Sequence, residues 1–177
     1  ARDRLAGHAN ATVTPLTRTS LDMFADASFD AAYCVAVFIH MDKEDWYLYL
    51  CELARILKPG GRVYFDHWNL AHPIGWKRWQ SEVDEYRRSG LGARKDVARN
   101  QFTTPEETRL FLSHAGFDVA TMWCDSPWVQ ALGVKHGTGA AAKVGEVAAC
   151  RSEEIVYSAR WSTYFDRILA ILMAGEH

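Results

Sequence analysis

The chain has 177 residues, of which 49% are hydrophobic and 24% are charged, and its formal net charge is −2. This length suffices for one compact domain, and the composition is typical of a globular protein rather than a disordered or low-complexity chain. The 20 basic and 22 acidic residues leave no positive excess for binding nucleic acid or an anionic membrane surface. The longest apolar run has nine residues, whereas a membrane-spanning helix needs about 20. We therefore predict no nucleic-acid partner and no membrane partner.

The four cysteines lie far apart, at positions 34, 51, 124 and 150, and no C-x-x-C motif occurs. Zinc sites use closely spaced ligand pairs, and small disulfide-bonded proteins have a denser cysteine pattern. We therefore predict no metal site and reduced, buried thiols. The first residues lack the apolar stretch of a signal peptide, which favours a cytoplasmic location.

The start of the chain predicts a helix end at residues 1–6, a short strand at residues 11–16 and a polar turn at residues 22–28. The apolar run at residues 29–38 shows no alternation of apolar and polar positions. A run of this kind predicts a strand that is buried on both faces.

A helix and a second strand are predicted next. Asp42 and Asp45 have the spacing of a capping box, and the apolar residues from Trp46 to Leu57 have helical spacing. The sequence Lys58-Pro59-Gly60-Gly61 ends this helix, and a strand is predicted at residues 62–65. Strand, helix and strand with short links form a βαβ unit, which implies a parallel sheet.

The second half of the domain predicts two more helices and two strands. Residues 72–89 have the pattern of an amphipathic helix, and residues 89–101 that of a loop. Thr104-Pro105-Glu106-Glu107 is a strong helix start, with Thr104 as the cap and Glu107 completing a capping box, and Gly116 ends that helix. Strands at residues 117–123 and 128–134 then form an antiparallel pair.

These elements predict an α/β fold with a doubly wound, mostly parallel Rossmann-like sheet, helices on both faces and an antiparallel last strand. The domain covers residues 1–135, followed by a Gly/Ala-rich linker at 136–151 and a helical extension at 152–177. The apolar face of the extension includes Phe165, Ile168, Leu169 and Leu172. That face predicts packing on the domain or a homodimer contact, with neither favoured.

Three sequence elements follow one another at fixed spacing: Ser28-Phe29-Asp30, then His40-Met41, then Arg55-Ile56-Leu57-Lys58-Pro59-Gly60-Gly61. Together with Ala115-Gly116-Phe117-Asp118-Val119, they resemble the class I S-adenosylmethionine-dependent methyltransferases over about residues 1–135. A nicotinamide-binding Rossmann domain is the alternative. The resemblance implies that a glycine-rich cofactor turn and a ribose-binding acid precede residue 1, so the domain is expected to be truncated at its N-terminus. A sheet without those strands is expected to expose a hydrophobic edge.

The resemblance also implies S-adenosylmethionine as the cofactor and assigns residues to it. Thr19, Ser20 and Leu21 occupy the place where the family contacts adenine, although Arg18-Thr19-Ser20-Leu21 departs from the usual acid followed by a small residue. Cys34, Val35 and Ala36 match the strand end beside the methionine part of the cofactor. These small or apolar residues are equally compatible with a packed strand.

The remaining candidate residues concern the methyl acceptor, which we expect to be a small molecule methylated at O or N. His67 and His40 are candidate general bases, because histidine titrates in a suitable range, although structural roles are also compatible with both. Asp66 and His67 are expected to face the acceptor pocket together. Three tryptophans, Trp68, Trp76 and Trp79, are expected to line that pocket or to seal a helix onto the sheet. A non-catalytic Rossmann-like domain that acts through packing or oligomerisation is the alternative function.

Overall fold

The computed structural model describes residues 2–5, 7–16, 18–89, 100–137 and 168–173. The helices are α1 (Arg2–Leu5), α2 (Lys43–Ile56), α3 (Pro73–Ser89) and α4 (Pro105–Ala115), with a short 3-10 helix at Phe38–His40. The strands are β1 (Phe29–Cys34), β2 (Leu57–Asn69), β3 (Phe102–Thr103), β4 (Phe117–Trp123) and β5 (Trp128–Lys135). Residues 168–173 are also helical.

The strands form one five-stranded sheet in the order β1-β2-β5-β4, with β3 pairing with β2. β1 and β2 are parallel and are joined through α2, which confirms the predicted βαβ unit. β5 lies between β2 and β4 and is antiparallel to both, which confirms the predicted antiparallel pair. The two-residue strand β3 was not predicted, because two residues carry no periodic signal.

Two apolar clusters cover the two faces of the sheet. On one face, Val63 and Phe65 of β2 pack with the buried residues of α2 and α4, and Trp46 is fully buried among them. On the other face, Tyr64 and Leu132 pack with Ile168, Ile171 and Leu172. Successive strand residues point to opposite faces, so β1, β2, β4 and β5 each contribute to both clusters.

Strand β1 differs from its prediction in length and in burial. It ends at Cys34 rather than continuing to residue 38, and Phe29 and Tyr33 are 37% and 51% exposed. The prediction of a strand buried on both faces is wrong, because β1 is an edge strand in the described sheet and has β2 as its neighbour on one side. Residues 11–16 form no strand, so that prediction is also wrong.

The helix starts follow the capping rules in one case and depart from them in another. In α4, the Thr104 hydroxyl accepts the backbone N–H of Glu107, and Gly116 ends the helix with a φ of 97°. These features confirm the predicted cap and stop. In α2, the Asp42 side chain makes no capping bond, and the Asp45 carboxylate instead accepts a hydrogen bond from Thr19. The capping box predicted there does not form.

Helix α3 covers its predicted range but does not bury its predicted apolar face. Trp76, Trp79 and Tyr86 are 47%, 36% and 41% exposed. The close contact of α3 is made at Gly75, where an added Cβ would lie 1.7 Å from the Asn69 carbonyl oxygen. The tryptophans therefore do not seal this helix onto the sheet.

The last described residues pack on the domain itself. Ile168, Ile171 and Leu172 are buried against Tyr64 and Leu132, whereas Leu169 and Met173 are exposed. The predicted linker from residue 138 onward and the extension up to residue 167, including Phe165, lie outside the described residues. In the part of the chain that the structure describes, no helix is long and apolar enough to cross a membrane.

Candidate functional site

The carboxyl ends of β1 and β2 lie side by side at one edge of the sheet. The strands are parallel, and Cys34 is paired with Phe65 at the end of the register. The residues that follow each strand therefore meet at this edge, which is where parallel α/β sheets place their ligands. The edge includes the predicted residues Val35, Ala36, Asp66 and His67.

Asp66 and His67 do not face one pocket, so that expectation is wrong. Cys34 packs on the α2 side with Phe65, and Val35 packs on the opposite side with Tyr64. By alternation along β2, Asp66 lies on the same face as Tyr64, and His67 lies on the same face as Phe65. The two side chains are therefore separated by the sheet.

Asp66 is buried, and its carboxylate is bonded to the turn that follows β1. The Ala36 backbone N–H donates to Asp66 Oδ1 at 2.7 Å, and Asp66 is 5% exposed. Ala36 has a φ of +53°. A left-handed conformation costs a residue with a Cβ about 1–2 kcal/mol, so the surrounding contacts must maintain it.

His67 lies in the apolar core between the sheet and α2. It is 2% exposed, and its ring centroid is 4.9 Å from that of Trp46. Burial lowers the pKa of His67 to about 4, despite hydrogen bonding and the nearby Glu107 charge, which act in the opposite direction. Nδ1 has no hydrogen-bond partner among the described residues. The imidazole is therefore neutral at physiological pH.

Cys34 lies on the same face of the sheet as His67. Burial, assisted by the negative charge of Asp66, raises the pKa of the Cys34 thiol to about 12. This shift favours the protonated thiol over the reactive thiolate. Within the described residues, the cysteines at 34, 51 and 124 are free.

The predicted adenine-contact segment is fixed against α2. Thr19 Oγ1 donates to Asp45 at 3.0 Å, and the Leu21 backbone N–H donates to Glu52 at 2.7 Å. The Leu21 side chain belongs to the buried core on this face. Ser20 Oγ accepts the Asp22 backbone N–H at 3.2 Å. These contacts position the segment, but they leave its predicted role toward adenine an expectation.

Arg55 is the centre of this attachment. Its guanidinium donates to the carbonyl oxygens of Leu21 and Phe24 and to the carboxylates of Glu52 and Asp26. The hydrogen bonds from Arg55 and from the Leu21 backbone lower the pKa of Glu52 to about 2. Arg55 belongs to the sequence element that resembles the family. Its role in this structure is to hold residues 21–26 against α2.

Aromatic and polar side chains continue the Asp66 face toward β5. Trp68 and Trp128 are paired in the register, and their rings stack with centroids 4.5 Å apart. Gln130 is the cross-strand partner of Asp66 and is 1% exposed, and its Oε1 has no hydrogen-bond partner among the described residues. Gln130 was not predicted as a site residue. A polar residue within an apolar strand was the signal for Gln130, but its register with Asp66 is not visible in the sequence.

The other two tryptophans and the second histidine lie at exposed positions. Trp76 and Trp79 form a ring pair on α3 with centroids 4.9 Å apart. His40 is exposed at the end of the 3-10 helix that follows β1. The structure therefore does not bring His40 and His67 together.

Two clefts occur elsewhere on the described surface. One, of about 180 Å³, lies at the opposite edge of the sheet near Lys58, Gly61 and Leu172. The other, of about 360 Å³, lies between α2 and α4 near Tyr47 and Phe111. Neither is lined by a predicted site residue. Among the described residues, no group of three or more His, Cys, Asp or Glu side chains is arranged to hold a metal ion.

Part of the chain is similar to a known protein family. Residues 2–65 match the family model of the methyltransferase domain, and this segment contains β1, α2 and most of β2. This match supports the predicted resemblance to class I S-adenosylmethionine-dependent methyltransferases. The chain has a Rossmann-like α/β fold, and its antiparallel β5 is inserted between β2 and β4.

The chain is similar to solved structures at low sequence identity. A possible exported protein from Bordetella parapertussis has a TM-score of 0.51 and 17% identity, with 76% of this chain and 48% of that chain covered. An S-adenosylmethionine-dependent methyltransferase from Methanosarcina mazei has a TM-score of 0.49 and 19% identity, with 67% and 64% covered. The 1,6-didemethyltoxoflavin-N1-methyltransferase of Burkholderia thailandensis has a TM-score of 0.46 and 16% identity, with 67% and 48% covered. This chain thus spans less than two thirds of the length of each of these structures.

Proposed function

We propose that this protein transfers a methyl group from S-adenosylmethionine to an O or N atom of a small-molecule acceptor. The observation that carries the proposal is the match of residues 2–65 to the methyltransferase domain. That segment contains β1 and most of β2, the two strands whose carboxyl ends meet at the candidate site. When bound, the cofactor supplies an activated methyl group, so the protein's task is to align the acceptor and exclude water.

The residues at this edge fit a cationic cofactor. Ala36 is small, and the turn that contains it leaves its backbone close to the sheet edge. The protonated Cys34 thiol offers no competing nucleophile. Val35 contributes apolar surface on the face that also holds Asp66. We assign Val35 and Ala36 to the methionine part of the cofactor, and we keep Thr19, Ser20 and Leu21 as its adenine-side candidates.

The Asp66 face favours an aromatic acceptor that carries a hydrogen-bond donor. Trp68 and Trp128 provide a stacked aromatic surface beside the cross-strand pair of Asp66 and Gln130. A buried amide oxygen without a donor is unfavourable unless a ligand satisfies it. Because Gln130 Oε1 has no such donor among the described residues, a hydroxyl or amine group on the acceptor would pair with it.

The two histidines have different parts in this proposal. His67 is neutral, buried and on the α2 side, so we assign it to packing. His40 is exposed and follows β1 at the same edge of the sheet, so it is the remaining candidate base. A His40→Gln variant is expected to lower kcat for a hydroxyl acceptor and to leave the melting temperature unchanged.

The test is a methyl-transfer assay with methyl-labelled S-adenosylmethionine and a panel of small aromatic alcohols and amines. Calorimetric titration with the cofactor alone accompanies the assay. Saturable cofactor binding together with label transfer supports the proposal. Cofactor binding without transfer to any panel member contradicts the acceptor class, and no cofactor binding contradicts the enzymatic function.

The exposed tryptophan pair tests the acceptor side. A Trp76→Ala/Trp79→Ala variant is expected to raise the acceptor KM and to keep the melting temperature within about 2 °C, because both rings are already partly solvated. Trp46→Ala is the matched control, since this fully buried tryptophan should change stability strongly. A lower melting temperature with an unchanged acceptor KM would assign the pair to packing.

A second candidate function, a non-catalytic domain that acts by oligomerisation, is favoured by one observation. Leu169 and Met173 are 54% and 45% exposed on the helical residues 168–173, whereas Ile168, Ile171 and Leu172 of the same segment are buried. These two side chains would form a homodimer contact. Sedimentation of the protein and of a Leu169→Asp variant tests this contact. A monomeric parent protein at high concentration would exclude it.

A further inference from the structure

The turn after β1 requires a contact that holds it in place. Beyond Cys34, the chain leaves the strand through Val35 and Ala36 and enters the 3-10 helix at Phe38. Ala36 has a φ of +53°, and Ala27 is the other non-glycine residue with a positive φ in the described part of the chain. An alanine does not adopt this conformation without support from neighbouring groups.

Asp66 provides this support across the sheet. Its Oδ1 accepts the Ala36 N–H at 2.7 Å, although 30 residues separate the two in the sequence. The register places Asp66 one residue beyond the last described β1–β2 pair, Cys34 and Phe65. The Asp66 carboxylate therefore lies just beyond the last backbone pairing and accepts the N–H of Ala36, the residue with the left-handed conformation in this turn. Hydrogen bonds to a charged acceptor are stronger than those between neutral groups.

We propose that Asp66 is a positioning residue that fixes the turn at Val35–Val37. This turn then determines where the methionine part of the cofactor binds. The proposal rests on the proposed function for its second half only. It revises the expectation that Asp66 contacts the acceptor directly, because one carboxylate oxygen is already bonded to the backbone of the turn.

The burial of Asp66 supports a positioning role. The residue is 5% exposed, and its neighbours on the same face are Tyr64 before it and Trp68 after it along β2. A buried carboxylate is costly unless hydrogen bonds satisfy it. The Ala36 N–H supplies one such bond, so the carboxylate and the turn stabilise each other.

The first measurement follows the turn itself by amide hydrogen exchange at Ala36, with NMR coupling constants to report its φ. Asp66→Ala removes the acceptor and is expected to accelerate exchange at Ala36 by about tenfold or more, which corresponds to about 1.4 kcal/mol. Asp66→Asn keeps an oxygen acceptor of the same shape and is expected to retain most of the protection. Asp30→Ala is the matched control, because it removes an exposed carboxylate at the opposite end of β1.

The second measurement follows the cofactor. Asp66→Ala is expected to raise the KM for S-adenosylmethionine about tenfold while the acceptor KM stays unchanged, and Asp66→Asn is expected to restore it. Adding Ala36→Gly to Asp66→Ala is expected to recover part of the affinity, because glycine adopts a positive φ without steric cost. A general loss of folding would not show this rescue.

Unchanged exchange at Ala36 in the Asp66→Ala variant would overturn the positioning role. A raised acceptor KM with an unchanged cofactor KM in the Asp66→Ala variant would also overturn the positioning role. That result would instead indicate that Asp66 contacts the acceptor. If the parent protein binds no S-adenosylmethionine, the proposed function fails, and the exchange measurement alone decides whether Asp66 holds the turn.

Discussion

Replacing His67 with phenylalanine should remove a specific part of the pH dependence of folding stability. The His67 side chain is 2% exposed and packs beside the Trp46 ring. Its pKa is lowered from the ordinary 6.5 to about 4, chiefly by burial. Phenylalanine has a similar size and no titratable group, so the variant keeps the packing and loses the proton equilibrium.

The sign of the effect follows from the two pKa values. Between pH 6.5 and pH 4 the unfolded chain binds a proton at this position and the folded chain does not. Stability therefore falls as the pH decreases through this window and is constant with respect to His67 above it. The full difference corresponds to about 3 kcal/mol, at about 1.4 kcal/mol for each tenfold change in proton affinity. Total stabilities are typically about 5–15 kcal/mol, so the change is measurable.

The assay is urea unfolding followed by far-ultraviolet circular dichroism at several pH values from 7.5 to 4. The parent protein should lose about 3 kcal/mol more than His67→Phe across this range. His114→Gln, at an exposed position on α4, is the control and should keep the parent's pH dependence because His67 is intact. If His67→Phe loses stability with pH as steeply as the parent, or if the His67 ring titrates near pH 6.5 by NMR, the reasoning is refuted.

Three further predictions concern the framework of the domain. Gly75→Ala should lower the melting temperature or displace α3, because the new Cβ would lie 1.7 Å from the Asn69 carbonyl oxygen; an unchanged melting temperature would show that this contact is loose. Glu52→Gln should reduce the free energy of unfolding at neutral pH. The parent should lose the stabilisation from Glu52 as the pH falls from 4.5 toward 2. Unfolding of both proteins at pH 7 and at pH 2 checks whether their stabilities converge at the lower pH. Trp46→Ala should lower the free energy of unfolding by about 3–5 kcal/mol, whereas Trp46→Phe should cost less because it also removes an indole N–H without a described partner. Equal losses in the two Trp46 variants would contradict the last expectation.

Local sequence patterns predicted most of the elements because each pattern records a local requirement. Helix α4 needs a side-chain oxygen at Thr104 for its N-terminal cap and a positive φ at Gly116 for its C-terminal end. Both residue types are visible in the sequence. The βαβ unit was predicted from an apolar run, a helical period and a Pro-Gly-Gly stop. The prediction of a strand at residues 11–16 failed because a short β-prone run, here Thr12-Val13-Thr14, forms a strand only where a neighbouring strand pairs with it.

Burial was harder to predict than element type. The apolar run in β1 suggested a fully buried strand, but the described sheet leaves β1 at its edge. The apolar face of α3 suggested packing, but the helix contacts the sheet edge through Gly75 and leaves Trp76 exposed. An apolar pattern shows which side chains gain from burial, and only the arrangement of neighbours decides whether burial occurs.

The sequence by itself determined the order of the strands and helices from β1 onward, except for β3, and it showed the family resemblance. Only the tertiary structure decided which face each residue joins. Asp66 and His67 are adjacent in the sequence and were assigned one pocket, but strand alternation places them on opposite sides of β2. The bond from Ala36 to Asp66 and the pairing of Asp66 with Gln130 were likewise invisible in the sequence. Both depend on the register between strands. Long-range pairing sets this register, and it cannot be inferred from the local sequence around the paired residues.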